Sequence, residues 1–185
     1  MTGPVETGGR DMRDETRLVR WGERALRGLA VANIALGVAA LLFILGTFLF
    51  QQPFAAHLMR KYGAAAPVMT MIWEVRLLGL LSASVVWPID RCLRPLADLA
   101  ASVRLGQPFD PANAGRVTTI GWALLAIQCL DVASGVLTMM VARTGADVVG
   151  WQPSLAGWIS VPVAFVLARV FAAGARLDAD LEGTV

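Results

Sequence analysis

Four long apolar stretches dominate the hydrophobic pattern of the chain. They cover about residues 28–50, 68–89, 119–141 and 154–173, and the connections between them carry most of the charged residues. A helix needs about 20 apolar residues to cross a hydrocarbon core of about 30 Å. These stretches are continuous rather than alternating, which indicates helices and not the strands of a barrel. The pattern therefore predicts an all-α, integral membrane four-helix bundle.

The residues before the first apolar stretch form a distinct basic segment. Residues 1–27 contain six arginines, and we assign the four-helix domain to residues 28–182. A secretory signal peptide has a shorter basic region and a shorter apolar core, followed by small residues at a cleavage site. None of these features is present, so we expect the first stretch to be an uncleaved membrane anchor.

The distribution of positive charge predicts the orientation of the chain. Lysine and arginine are retained on the cytoplasmic side of a membrane. Twelve of the sixteen cations lie before the first stretch, between the second and third, or at the end of the fourth, whereas three lie in the other two connections. We therefore expect both termini to be cytoplasmic. Fifteen of the sixteen cations are arginine, which we attribute to genome base composition and not to direct binding of nucleic acid.

Composition excludes several classes of function. The chain is 56% apolar and 16% charged, whereas a soluble domain carries roughly 25% charged residues. One histidine and two cysteines are too few for a self-contained zinc, haem or iron–sulfur site. His57 lies in an outer connection, away from Cys92 and Cys129, so no nucleophile has a base beside it. We expect no enzymatic activity, no catalytic residues, no metal and no cofactor.

The connection between the second and third stretches, residues 90–118, has a helical pattern of its own. Apolar residues recur there at spacings of three and four until Gly106, which predicts an amphipathic cytoplasmic helix on the membrane surface or across the mouth of the bundle. Asp110 and Pro111 are typical of an N-cap and a first helical residue, so they predict a helix that continues into the third span. Asn113 is interpreted as a cap or turn residue, with ligand binding as the alternative.

Polar blocks on the predicted cytoplasmic side carry a resemblance to a known family. The blocks are Arg94-Pro95-Leu96, Gly106-Gln107-Pro108-Phe109, Asn113-Ala114, Ile120-Gly121-Trp122 and most of residues 170–185. With these blocks the chain resembles, from the first span to its end, the bacterial four-span membrane family catalogued as domain of unknown function 2975. The family is uncharacterised, so no catalytic residues are implied. The resemblance implies a protein of the bacterial inner membrane whose gene often neighbours that of a small cytosolic helix-turn-helix regulator.

We interpret polar residues on this side as a docking surface for such a regulator. An apolar stripe at spacings of three and four runs through residues 167–181, which predicts that the fourth helix continues beyond the membrane. The acidic residues at its end are expected to contact the arginine-rich face of the protein itself or a partner. The candidate docking residues are Arg94, Phe109, Asn113, Arg116, Arg176, Asp180 and Glu182.

Apart from Arg169 near the end of the fourth span, three ionisable residues lie inside the predicted spans, where a charge costs at least about 2.5 kcal/mol. They are Glu74 and Arg76 in the second span and Asp131 in the third. Counting from the span centres places Arg76 and Asp131 at the same depth, which predicts an ion pair between adjacent antiparallel helices. A polar stripe through Gln128 and Asp131 is expected to meet the Arg76 face. Glu74 lies two positions from Arg76 and therefore faces another helix, an outer cation or a second copy.

Two functions follow from these observations. The first is a non-enzymatic regulatory or sensory membrane protein that docks a cytosolic helix-turn-helix transcription regulator. The second is a small transporter or proton-coupled permease that uses Glu74, Arg76 and Asp131. In the first, the intramembrane pair sets the helix register; in the second, Asp131 belongs to a proton or small-molecule site. A homodimer is compatible with both.

Overall fold

The computed structural model describes residues 8–63, 66–143 and 150–182, and these residues are almost entirely helical. The described helices are α1 (Gly8–Leu49), α2 (Gln51–Tyr62), α3 (Val68–Ser84), α4 (Val86–Arg104), α5 (Pro111–Ala142) and α6 (Leu155–Glu182). The all-α prediction is confirmed.

Four segments of these helices are long enough and apolar enough to cross a membrane. They are Arg24–Leu49, Val68–Arg104, Pro111–Ala142 and Leu155–Leu181, and each contains a predicted stretch or most of one. Between 11% and 22% of the residues in their most apolar windows are buried in the protein. The other residues of these windows are half-buried or exposed, as expected of helices that lipid surrounds.

The helices extend beyond the predicted spans. α1 has 42 residues and starts well before residue 28, so a continuous helix crosses the predicted boundary of the basic segment. Residues 1–7 of that segment lie outside the described residues. α3 and α4 are separated at Val85, whose backbone keeps nearly helical angles (φ −65°, ψ −23°). The predicted second span therefore ends inside α4, and the residues expected to form a separate amphipathic helix continue α4.

Local sequence signals determine the turn between α4 and α5. Gly106 adopts a φ of 74°, a left-handed conformation that glycine tolerates and that ends α4. Asp110 caps α5, because its carboxylate accepts a hydrogen bond of 2.9 Å from the backbone N–H of Ala112. Pro111 occupies the first helical position, as predicted. The predicted start of α5 and the continuation of α6 to Glu182 are both confirmed.

The helices pack in a row that follows the chain. α1 packs on α3 and α4, these two pack on α5, and α5 packs on α6. Within the described ranges no Cα atom of α1 comes within 8 Å of α6, so the row stays open and the predicted bundle is not closed. The apolar pattern could not indicate this, because a helix that is apolar around most of its surface has no single inward face.

Glycines permit the closest approaches within the row. A Cβ atom at Gly37 of α1 would lie 2.6 Å from Val86 of α4, and one at Gly79 of α3 would lie 2.9 Å from Ile44. Between α5 and α6, a Cβ atom at Gly121 would lie 3.2 Å from the ring of Phe165. Small residues at such positions let membrane helices pack with their backbones close together.

Candidate functional site

Arg76 lies at the centre of a buried polar network between α1 and α3. The residue is 5% exposed. Its Nη2 donates to the carbonyl oxygen of Thr47 (2.8 Å) and to Oε1 of Gln51 (3.1 Å), and its Nε donates to Oγ1 of Thr47 (3.2 Å). The guanidinium carbon also lies 3.7 Å from the ring centroid of Phe48 and 5.1 Å from that of Trp73. Neutral oxygens and two aromatic rings therefore stabilise this charge.

The predicted ion pair between Arg76 and Asp131 is wrong. Oδ1 of Asp131 instead accepts a hydrogen bond of 3.3 Å from Nε1 of Trp151. Ser102 of α4 and Asn113 of α5 form a hydrogen bond with each other. These two residues therefore lie at the same depth, from which the depths of Arg76 and Asp131 can be counted. Arg76 lies 26 residues from Ser102, whereas Asp131 lies 18 residues from Asn113. At 1.5 Å per residue the two charges differ in depth by about 12 Å, because the helices are offset relative to their apolar stretches.

The polar stripe on α5 faces the segment that leads into α6, and not the Arg76 face as expected. Nε2 of Gln128 donates to the carbonyl oxygen of Ser154 (3.3 Å), and the Gln128 amide fills the space above Gly157. The indole of Trp151 covers the stripe beside Asp131. Oδ2 of Asp131 is buried and has no hydrogen-bond partner in the described part of the chain.

Glu74 is partly buried on α3. It takes no part in the hydrogen bonds of Arg76, which all go to Thr47 and Gln51. Arg76 and Asp131 also belong to separate contacts. The structure therefore does not assemble the three ionisable residues into one site.

A second polar network joins α4, the connecting loop and α5. Asn113 is completely buried, and its Nδ2 donates to Oγ of Ser102 (2.9 Å) and to the carbonyl oxygen of Pro108 (3.0 Å). Its Oδ1 accepts a hydrogen bond from Arg116, which also lies 3.4 Å from the carboxylate of Asp110. The contacts favour the turn interpretation of Asn113. As a docking residue it is a wrong prediction, because a partner cannot touch it.

The Asn113 network supports an exposed surface, which we call the loop–α6 surface: residues 106–111 together with Asp178. These residues line a cavity of about 550 Å³. Phe109 is 43% exposed, and the edge of its ring packs on Gly174 of α6. The loop and the end of α6 are thus in direct contact.

The other docking candidates are spread around this end of the molecule. Arg94 is exposed on α4 and pairs with Asp90 at 2.7 Å. Arg116 is half-buried in the Asn113 network, whereas Arg176 and Asp180 are exposed on α6. The side chain of Glu182 lies outside the described residues. Among residues 8–63, 66–143 and 150–182, no group of three or more His, Cys, Asp or Glu side chains could hold a metal ion.

The segment from α3 to the end of the chain matches a known family model. The model is described as a protein of unknown function, DUF2975, and it matches residues 62–185. The chain belongs to this family. No curated protein and no solved structure matches the chain. The DUF2975 match begins later than the predicted resemblance, which started at the first span, so α1 and nearly all of α2 lie outside it.

Sequence reasoning missed the partners of the intramembrane residues. Arg76 belongs to the DUF2975 segment, but Thr47 and Gln51, which bind it, precede that segment. Asn33 is buried in α1 and donates a hydrogen bond of 2.9 Å to the carbonyl oxygen of Val86. Asn33 and Thr47 are polar residues inside an otherwise apolar stretch, which is the signal that could have identified them.

Proposed function

We propose that the chain is a non-enzymatic regulatory or sensory protein of the bacterial inner membrane that docks a small cytosolic helix-turn-helix regulator on the loop–α6 surface. One observation carries this proposal. The fully buried Asn113 holds a loop in place, and that loop forms with α6 a cavity of about 550 Å³. A docking surface needs such a preorganised shape, because ordering a loop on binding weakens affinity.

The proposed orientation places this surface in the cytoplasm. Four spans bring both termini to the same side of the membrane. The arginines that precede the first span, those between the second and third and those that follow the fourth lie on that side, and lysine and arginine are retained in the cytoplasm. The loop–α6 surface belongs to the same side, where a cytosolic regulator can reach it.

The chemistry of the surface suits a basic partner. Asp178 is exposed on α6 and faces the cavity. The carboxylate of Asp110, which also lines the cavity, is bonded within the protein to the backbone of Ala112 and to Arg116, so Asp178 is the acidic group that a basic partner would meet. Helix-turn-helix proteins carry lysine and arginine side chains that contact DNA phosphates. Phe109 adds an exposed aromatic ring of the kind that is enriched at protein interfaces. Docking would therefore occupy basic side chains that otherwise bind DNA.

Co-purification of the full chain with the regulator encoded beside its gene tests this proposal. We expect the regulator to be retained in detergent extract and to be lost when Asp178→Arg reverses the charge beside the cavity. Asp98→Arg is the matched control, because Asp98 is also exposed but does not line the cavity. Equal retention by both variants, or no cytosolic partner in several detergents, would contradict the proposal.

A proton-coupled permease is the second candidate, and one observation favours it. Oδ2 of Asp131 is buried and has no hydrogen-bond partner among the residues that the structure describes, and such a group is costly unless it serves a function. Since Arg76 is bound elsewhere, the site would consist of Asp131 with its neighbour Gln128. Proton-driven flux in proteoliposomes should be abolished by Asp131→Asn. Flux that Asp131→Asn leaves unchanged would remove this site from consideration.

A further inference from the structure

An apolar hollow lies where α1 ends and α2 begins. Its volume is about 360 Å³. Its wall includes Phe43, Gly46, Phe50, Pro53, Phe54 and His57. The break between the two helices falls at Phe50, where φ is −110° and ψ is 36°. The hollow is thus at the end of a membrane-capable helix, on the side of the molecule opposite to the Asn113 network.

Two features explain why the hollow is apolar and has room for a ligand. Thr47 also lines it, but its hydroxyl donates to the carbonyl oxygen of Ile44 (2.7 Å) and accepts from Arg76 (3.2 Å). The one hydroxyl of the wall is therefore used within the protein. Gly46 also lines the hollow, and a Cβ atom there would meet nothing within 4 Å, so the hollow has room for a larger side chain at this position.

Cationic residues follow at one rim of the hollow. His57 lines the rim and is exposed. Arg60 and Lys61 come three and four residues later in the last turn of α2, and residues at these spacings share one helix face. The cations therefore lie about one turn, or about 5.4 Å, beyond the hollow. An apolar hollow beside cationic side chains fits a ligand with an apolar chain and an anionic head.

We propose that the α1–α2 hollow binds one acyl chain of an anionic phospholipid, whose phosphate contacts His57 and Arg60. Lipid is the apolar phase that surrounds α1, and arginine forms bidentate hydrogen bonds with phosphate. The site goes beyond the proposed docking function. All of its residues, from Phe43 to Arg60, precede the DUF2975 segment, which starts at residue 62.

Native mass spectrometry of the full chain tests the site. The protein is reconstituted in bilayers with equal amounts of phosphatidylglycerol and phosphatidylcholine, and the lipids that remain bound after detergent extraction are counted. We expect phosphatidylglycerol to be retained preferentially. Gly46→Leu should fill the hollow and lower the affinity for this lipid at least about tenfold. Gly28→Leu is the control, because Gly28 is also on α1 and opens on empty space.

A second variant tests the headgroup contact separately. His57→Gln combined with Arg60→Gln leaves the apolar wall intact, so it should abolish the preference for phosphatidylglycerol while phosphatidylcholine still binds. Both residues are exposed, so the helical fold, measured by circular dichroism, should be unchanged. Equal retention of the two lipids by the wild type, or undiminished phosphatidylglycerol on Gly46→Leu, would overturn the proposal. Neither result would bear on docking at the loop–α6 surface.

Discussion

At the scale of single residues, the buried side chains of Arg76 and Asn113 have structural partners within the protein. Arg76 uses its guanidinium to join the end of α1 to α3 through Thr47 and Gln51. Asn113 joins α4, the loop and α5 in the same way. Where lipid surrounds the helices, an unpaired polar group has no water to bind. Such networks therefore determine which helices meet and at what register.

Replacing Arg76 should destabilise the protein strongly. Arg76→Gln removes the charged donor from Thr47 and Gln51, and a hydrogen bond to a charged group contributes about 1.5–3 kcal/mol. We expect the free energy of unfolding in detergent to fall by at least this amount. Arg76→Lys should recover only part of it, because an ammonium group lacks the planar fork of guanidinium. The control is Arg94→Gln, since the exposed pair of Arg94 and Asp90 contributes about 0.3–0.5 kcal/mol. Equal losses in Arg76→Gln and Arg94→Gln would contradict the structural role of Arg76.

Replacing Asn113 should loosen the loop between α4 and α5. Asn113→Ala leaves the buried hydroxyl of Ser102 and the carbonyl of Pro108 without their donor, at a cost of about 1–3 kcal/mol. We expect lower thermal stability and faster proteolysis within residues 105–110. Gln107→Ala changes an exposed side chain in the same loop and should have little effect. A loop equally resistant in Asn113→Ala and wild type would show that the network does not hold it.

At the scale of elements, close helix packing depends on where glycine occurs. Because Gly37 has no side chain, Val86 of α4 packs directly on the backbone of α1. At Gly28 on the same helix, an added Cβ atom would meet nothing within 4 Å. α6 packs on α5 and on no other helix in the described part of the chain. Three glycines allow close contact on this side of α6. Gly121 of α5 receives the ring of Phe165, whereas Gly157 and Gly174 of α6 receive the side chains of Gln128 and of the loop residue Phe109.

Alanine substitutions at two glycines of α1 should have opposite effects. Gly37→Ala places a methyl group 2.6 Å from Val86, and overpacking of this kind costs about 1–3 kcal/mol. Gly28→Ala adds a better helix former without a clash, so stability should be unchanged or raised by up to about 1 kcal/mol. Unfolding midpoints of the two variants measure the difference. If both variants behave alike, α1 does not pack on α4 through Gly37.

At the scale of the whole molecule, the helices form an open row with α1 at one edge and α6 at the other. Large apolar side chains cover both edges, including Leu41 and Leu45 on α1 and Ile159 and Val166 on α6. Lipid or a second copy of the chain would cover these faces in a membrane. The homodimer suggested by the sequence would use such a face, and cross-linking in native membranes measures whether it forms.

Thiol labelling should establish the orientation of the row. After Cys92 and Cys129 are replaced by alanine, a single cysteine is introduced by Gln152→Cys or by Gln107→Cys, both at exposed positions. A membrane-impermeant maleimide should label Gln152→Cys in intact cells. It should label Gln107→Cys only after the membrane is opened, because lysine and arginine are generally retained on the cytoplasmic side of a membrane. The reverse pattern would invert the orientation and move the loop–α6 surface away from cytosolic partners.

The sequence by itself determined the four apolar helices, the turn at Gly106, the capped start of α5 at Asp110 and the family. These features depend on local backbone preferences or on long runs of one polarity, which residues close in the chain specify. The tertiary structure alone decided that Arg76 binds Thr47 and Gln51, that Asp131 meets Trp151, and that the helices form an open row. Helices that are apolar around most of their surface can slide and turn against one another without changing their apolar pattern. Their partners and offsets therefore depend on glycines and polar groups that meet only when the chain is folded.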